Sequence, residues 1–396
     1  MVDVATLGTF LLAAGASLFM AWSIGAGSSG STPFAPAVGA NAISVMRAGF
    51  LVGLLGISGA ILQGQNVSEA MGRDLIAGVS LTPAAATLAL SIAAVLVATG
   101  VFTGYPIATA FTVTGSVIGV GLALGGDPAW AKYTEIGAMW LLTPFVGGFV
   151  AYLIARALRD EPISERAMVT VLAALIGIIV ANIEFAVLAS SGEAASIAVA
   201  GGGPIPGPAI VGSLLVTILV ALVWAAPTAV GMGNDPVRTE RTFLLVMGGL
   251  VAFSAGGSQV GLAVGPLVPL GEDIGLPLVA LLAGGGVGLL VGSWTGAPRM
   301  IKAISQDYSS LGPRRSIAAL IPSFALAQVA VLFGIPVSFN EIVVSSIIGS
   351  GFAAAGAGGG VSARKVGFTI LAWVLSFLGA LAVGFGGFAA FRALVG

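Results

Sequence analysis

About twelve long apolar runs follow one another along the chain, near 5–27, 48–65, 82–103, 112–126, 135–157, 167–190, 207–231, 240–257, 275–296, 316–334, 342–356 and 366–391. No other feature narrows the fold so far. An apolar helix of about 20 residues crosses a bilayer, and a water-soluble core has no use for so many in succession. Composition agrees: 57% of residues are hydrophobic and 8% charged, against about a quarter charged in soluble domains. The expected fold class is an all-α polytopic membrane protein with about 12 transmembrane helices. The first run is too long for a cleavable signal and leads directly into the next. A net charge of −1 leaves no basic face for nucleic acid. Cysteine and histidine are both absent, which removes thiolate chemistry, imidazole metal ligands and the usual proton shuttle.

The runs repeat. Ser28-Ser29-Gly30 reappears 230 residues later as Ser258-Gln259-Val260, and each is followed by proline at the same distance, Pro36 and Pro266. Gly104-Tyr-Pro106 pairs with Gly334-Ile-Pro336 at that offset, and Gly119 and Gly121 pair with Gly349 and Gly351. The reading is two copies of one membrane unit, residues 1–165 and 232–396, joined by helices within 166–231. Charge gives an orientation by the positive-inside rule. With both termini outside, the inner loops hold Arg47, Arg156, Arg159, Arg166, Arg238, Arg241, Arg299, Lys302, Arg314, Arg315, Arg364 and Lys365, and the outer side only Arg73, Lys132 and Arg392. Matching runs are then seven crossings apart, so the copies are inverted. The equivalent stretches 64–81 and 297–315 carry net charges of −1 and +3, as opposite membrane faces require. Inverted repeats with broken or re-entrant helices at the midplane are a transporter architecture.

The paired small-residue stretches are the candidate site. Backbone that leaves a helix inside a membrane must be satisfied by protein, water or ligand. Short hydroxyl and amide side chains beside free helix N–H groups suit an anion. Helix packing is the competing reading, because Gly, Ala and Ser also line contacts between membrane helices. Register between the two copies favours a site, with Ser28, Ser29, Ser258 and Gln259 as donors. At the second pair, Pro106 and Pro336 each end one half-helix and start another. That aims N–H groups near Thr109, Ala110, Ser338 and Phe339 inward, with Asn340 beside them. Glu341 and Glu184 are the ionisable residues expected deepest in the bilayer, where a carboxylate is usually functional, here as coupling groups. Asn182, Gln63 and Asn66 are weaker candidates, suited to interhelical hydrogen bonds. No phosphate-binding loop, metal-ligand spacing or nucleophile–base pair is present, so no enzyme is expected and no catalytic residue is named.

These residues resemble the inorganic phosphate transporter (PiT) family. That family carries Gly-Ala-Asn-Asp-Val-Ala-Asn-Ala near the start of each inverted half and Gly-X-Pro-Val-Ser-Thr-Thr-His later in it. Here Gly256-Gly-Ser-Gln-Val-Gly-Leu-Ala-Val-Gly-Pro266 keeps the first frame. Gly104-Tyr-Pro-Ile-Ala-Thr109 and Gly334-Ile-Pro-Val-Ser338 keep the second, and Trp140 and Trp373 fit a tryptophan of the last helix in each repeat. The family's Asn-Asp pair, whose aspartates are its sodium- and phosphate-site carboxylates, reads Ser28-Ser29 and Ser258-Gln259 here. The Ser-Thr-Thr-His pattern becomes Ala108-Thr109-Ala110-Phe111 and Ser338-Phe339-Asn340-Glu341.

Phosphate at neutral pH keeps a P–OH that wants an acceptor, whereas sulfate offers only acceptors and suits a site of neutral donors. By resemblance to the sulfate permease branch of the family, which also lacks Asn-Asp, the expected function is a proton-coupled sulfate permease with Glu341 as carrier. A sodium- or proton-coupled phosphate transporter is the alternative, and an anion channel a third reading. No cofactor is expected beyond H+ or Na+ as coupling ion. The partners are the anion and the lipid bilayer, and glycine-rich faces would allow a homodimer. The expected location is the plasma membrane of a prokaryotic cell.

Overall fold

A computed structural model describes residues 4–160, 164–188, 194–307, 311–353, 361 and 363–395. The ends of the apolar runs at 189–190 and 354–356 lie outside the described residues, as do 1–3 and 396. The helices, in order, are α1 (Val4–Gly27), α2 (Ala35–Gly39), α3 (Val45–Gln63), α4 (Gln65–Glu69), α5 (Pro83–Thr103), α6 (Thr109–Leu124), α7 (Trp130–Asp160), α8 (Glu165–Asn182) and α9 (Ile197–Gly202). They continue as α10 (Ala209–Asn234), α11 (Pro236–Val264), α12 (Val268–Asp273), α13 (Leu278–Thr295), α14 (Ala297–Asp307), α15 (Pro313–Leu332), α16 (Phe339–Phe352) and α17 (Ala363–Val395). Two short antiparallel pairings join Ile76–Ala77 to Asp127–Pro128 and Glu184–Phe185 to Ala195–Ser196.

The protein is an all-α polytopic membrane protein, and ten of the described helices are long and apolar enough to span. The expected number of full crossings needs correction at two runs. α6 and α16 have 16 and 14 residues, about 24 and 21 Å at 1.5 Å per residue, short of the ~30 Å hydrocarbon layer. They are half-helices because their apolar runs start after a break. α5 ends at Gly104 (φ 78°) and α15 runs out at Gly334 (φ 59°), a left-handed turn that only glycine makes cheaply. Pro106 and Pro336 then keep the chain extended until Thr109 and Phe339.

The 230-residue offset carries over to the elements: α1, α3, α5, α6 and α7 correspond to α11, α13, α15, α16 and α17. Packing between the copies is reciprocal. α1 lies on α13 while α11 lies on α3, and α6 lies on α17 while α16 lies on α7. The glycines at the shared offset explain how the half-helices approach so closely. A Cβ on Gly119 would sit 2.2 Å from the Leu381 carbonyl oxygen, and one on Gly349 would sit 2.0 Å from that of Gly148. The copies run in opposite senses. As α1 advances from Ser17 to Ser28, its hydrogen-bonded partner on α11 falls back from Ala263 to Gln259.

The two copies differ at the first break. α1 ends at Gly27, and the adjoining Ser-Ser-Gly-Ser-Thr-Pro leaves the helix. The Ser28 carbonyl collects the N–H groups of Ser31 and Thr32 (3.0 and 3.1 Å) and their hydroxyls as well (3.2 and 3.1 Å), which holds the turn after α1 tight on that oxygen. In the second copy the expected break at Ser258 does not occur, and α11 continues through Gln259 to Val264. No proline interrupts it before Pro266. Its glycines serve contact instead: a Cβ on Gly256 would lie 1.9 Å from the Gly56 oxygen of α3.

Candidate functional site

Four elements converge between the copies: the end of α1, the start of α6, the last turns of α11 around Gln259 and the start of α16. Ser28, Thr109 and Gln259 are all fully buried. Thr109 Oγ1 lies 2.9 Å from Gln259 Oε1 and 3.2 Å from Ser28 Oγ, while Ser28 Oγ lies 3.4 Å from Gln259 Oε1. Gln259 Nε2 donates to the Val337 carbonyl at 2.5 Å, so one α11 amide ties the first copy's half-helix to the second copy's extended segment. Asn340 mirrors it from the other side. Its Nδ2 donates to the carbonyls of Gly27 (2.9 Å) and Ile107 (2.7 Å). Being held between two acceptors identifies that atom as the amide nitrogen, which leaves Oδ1 as an acceptor.

Both half-helices begin without a side-chain cap. Ala108 has no side chain to offer, and the Ser338 hydroxyl makes no cap bond. The first helical backbone bonds are Thr112 N–H to Ala108 and Ile342 N–H to Ser338. The N–H groups of Thr109, Ala110 and Phe111, and of Phe339, Asn340 and Glu341, therefore have no partner within their helices. Ser258 Oγ, Ser338 Oγ, Asn340 Oδ1 and Glu341 Oε2 are buried without a hydrogen bond. Such a concentration of unspent polar groups is costly in a folded interior, and two helix N-termini add positive potential to it.

The two tryptophans brace the extended segments crosswise. Trp140 Nε1 donates to the Pro336 carbonyl (2.7 Å) and Trp373 Nε1 to that of Pro106 (2.9 Å), so each copy's long last helix holds the other copy's break. Phe111 stacks on Trp140 with ring centroids 3.8 Å apart. Trp373→Phe leaves the Pro106 carbonyl without its donor, at a cost of about 1–3 kcal/mol. A lowered thermal midpoint of the detergent-solubilised protein is the expected result.

Of the expected site residues, Ser28, Thr109 and Gln259 form one bonded cluster, with Ser258, Ser338 and Asn340 buried around it. Ser29 is buried but bonds back to its own helix at the Ile24 carbonyl. Glu341 is 1% exposed and borders a cavity of about 640 Å³ shared with Phe111, Trp140 and Trp373. Glu184 is not deep: it is exposed in the segment after α8, because that helix stops at Asn182 rather than running on through the apolar stretch. Sequence reasoning missed the carbonyls of Gly27, Ile107 and Val337, since any residue supplies a carbonyl. It also missed Ser254 and Gln328, whose polar side chains inside apolar runs were the available signal.

A family profile described as the phosphate transporter family matches residues 24–384. The chain belongs to this family. As a family member it is 25% identical over 356 residues to "Putative phosphate permease TK2061" of Thermococcus kodakarensis, covering 84% of this chain and 86% of that one. It is 27% identical over 395 residues to the chloroplastic inorganic phosphate transporter 2-1 of Arabidopsis thaliana, covering 85% of this chain and 64% of the plant protein. Its fold is similar to that of a solved protein named the sodium-dependent phosphate transporter. The TM-score is 0.79 at 22% identity, over 98% of this chain and 100% of that one. The family is one of transporters, in keeping with the many apolar helices, and is consistent with the expectation of no enzyme. The sulfate branch expected from the missing Asn-Asp pair gains no support, because these relatives are named for phosphate.

Proposed function

We propose that this phosphate transporter family member is a secondary transporter of inorganic phosphate, bound between the two half-helix N-termini. The observation that carries the reading is the buried, uncapped meeting of α6 and α16 around Ser28, Thr109, Gln259 and Asn340. Backbone N–H groups and hydroxyls donate to the anion oxygens, as at other helix-terminus anion sites. The P–OH of hydrogen phosphate needs an acceptor, and the unpartnered Asn340 Oδ1 supplies one where a carboxylate is missing. That point favours phosphate over sulfate, in line with the names of the relatives. Sulfate is the second reading, supported by the neutral Ser28–Thr109–Gln259 cluster, which contains no carboxylate.

Coupling falls to Glu341, one residue from Asn340 and with Oε2 unpaired. Carrying a proton there neutralises the carboxylate beside an incoming anion, so proton and anion travel together. The ends rich in arginine, at the starts of α8, α11 and α15, face the cytoplasm. The halves exchange access by moving against each other around the site.

Uptake of labelled phosphate and labelled sulfate into proteoliposomes, with sodium or proton gradients imposed singly, tests this. Phosphate uptake driven by a proton gradient is expected. Glu341→Gln should abolish accumulation against a gradient while phosphate–phosphate exchange continues. Sulfate uptake without phosphate uptake transfers the proposal to the second reading. Sodium-driven uptake unaffected by Glu341→Gln removes its coupling role.

A further inference from the structure

We infer that the cavity between α3, α8 and α15 is the mouth through which the anion reaches the site, and that Gln63 and Gln328 are its gate. The inference rests on the transport function proposed above. The cavity holds about 400 Å³, and both glutamines line it together with Asn66, Asn182 and Glu184.

Gln63 and Gln328 close its inner wall by a reciprocal amide pair. Gln63 Nε2 donates to Gln328 Oε1 at 3.4 Å, and Gln328 Nε2 donates to Gln63 Oε1 at 3.3 Å. Both distances lie beyond the ordinary range, so the pair itself holds weakly, and Gln63 Nε2 has a second acceptor in the Glu184 backbone carbonyl at 3.2 Å. Behind it, Gln328 Nε2 also donates to Ser254 Oγ. Ser254 stands one helical turn before Ser258 on the same face of α11, and the Ser258 hydroxyl is buried with no partner. Gln259, next in sequence, is already in the central cluster. Ser254 Oγ accepts from Gln328 and donates to the Leu250 carbonyl at 2.9 Å, so amide and hydroxyls form a neutral polar track from the cavity toward the site.

The track exists in one copy only. The positions equivalent to Gln63, Ser254 and Gln328 at the 230-residue offset are Ser293, Ile24 and Ala98. Ser293 spends its hydroxyl on the Leu289 and Gly25 carbonyls of the helices around it. Polar side chains between a cavity and the site thus occur at these positions in one copy only. α8 and α15 start together at the paired Glu165 and Arg314, and the cavity lies at their far ends. It opens on the face poor in basic residues, the outer one by the charge rule. The Glu184 carboxylate at the rim is exposed and screened by salt.

The chain contains no cysteine, so a single introduced thiol reports alone. Ala325→Cys puts a thiol on the cavity wall outside the binding cluster. A negatively charged, membrane-impermeant methanethiosulfonate added from outside should label it and lower phosphate uptake at least tenfold. Complete labelling with unchanged uptake, or no labelling, overturns the mouth. In a second test, the double variant Gln63→Leu with Gln328→Leu should lose uptake at least tenfold while detergent-solubilised protein still binds labelled phosphate. Unchanged uptake, or loss of uptake and binding together, removes the gate. If the unmodified protein transports neither phosphate nor sulfate, the failure lies with the proposed function and not with the mouth.

Discussion

Gln259→Leu lowers the initial rate of phosphate uptake at least tenfold and leaves a protein that still elutes as a folded species. The side chain is fully buried, and both ends of its amide are in use. Nε2 donates to the Val337 carbonyl, and Oε1 meets the Thr109 and Ser28 hydroxyls. Leucine fills nearly the same volume, so the packing of α11 survives. The polar loss does not. Each buried group left unpaired costs about 1–3 kcal/mol, and a tenfold change in rate needs only about 1.4 kcal/mol. Two consequences separate a role at the site from a purely structural one. Gln259→Asn, which keeps an amide on a shorter stem, should recover part of the uptake. Gln259→Glu, which brings a carboxylate into the cluster, should fall below the leucine variant and fall further as pH rises, because a negative charge there repels the anion. Full uptake by the leucine variant would show that the anion is held elsewhere.

Gly256→Leu prevents assembly of the two copies. The Cβ alone would lie 1.9 Å from the Gly56 carbonyl oxygen and 2.6 Å from its carbon, both backbone atoms that no rotamer change can move. With Gly59 against the Phe253 carbonyl, it is one of two backbone-to-backbone contacts of α3 with α11, so accommodation means parting two spanning helices along their length. Overpacking a core costs about 1–3 kcal/mol where side chains can yield. Here backbone must yield, and the penalty exceeds that range, a large fraction of the roughly 5–15 kcal/mol that holds a folded protein together. The expected result is loss of the monodisperse peak in detergent. Gly8→Leu is the control, since nothing lies within 4 Å of a Cβ at that position, and it should leave the peak intact. A monodisperse Gly256→Leu protein would mean that α3 and α11 do not cross at these glycines.

How much of this could be read from residues alone differs from place to place. The spans were legible because bilayer thickness imposes a length that a one-dimensional hydropathy pattern records directly. The half-helices were half legible. Gly104-Tyr-Pro106 and Gly334-Ile-Pro336 marked the breaks, but only the ends of α6 and α16 showed that the helices after them do not cross. Ser28 and Ser258 look alike in sequence, yet one terminates a helix and the other rides through it. The difference lies in the residues C-terminal to each serine. Gly30, Ser31, Thr32 and Pro33 offer α1 several ways out, whereas α11 meets no proline until Pro266. Glu184 was misplaced because its apolar run outlasts the helix.

By itself the sequence determined that this chain lies in a membrane, that it is built twice, and which breaks and prolines stand in register. Those properties depend on composition and spacing, which are local and survive without coordinates. Only the tertiary structure decided that Thr109 and Gln259, 150 residues apart, share a hydrogen bond, and that Asn340 is held by the carbonyls of Gly27 and Ile107. It alone decided that Gln63 faces Gln328 across a cavity. Hydrogen bonds act over about 3 Å, and which groups come that close depends on how two inverted copies pack, helix against helix, through their glycines.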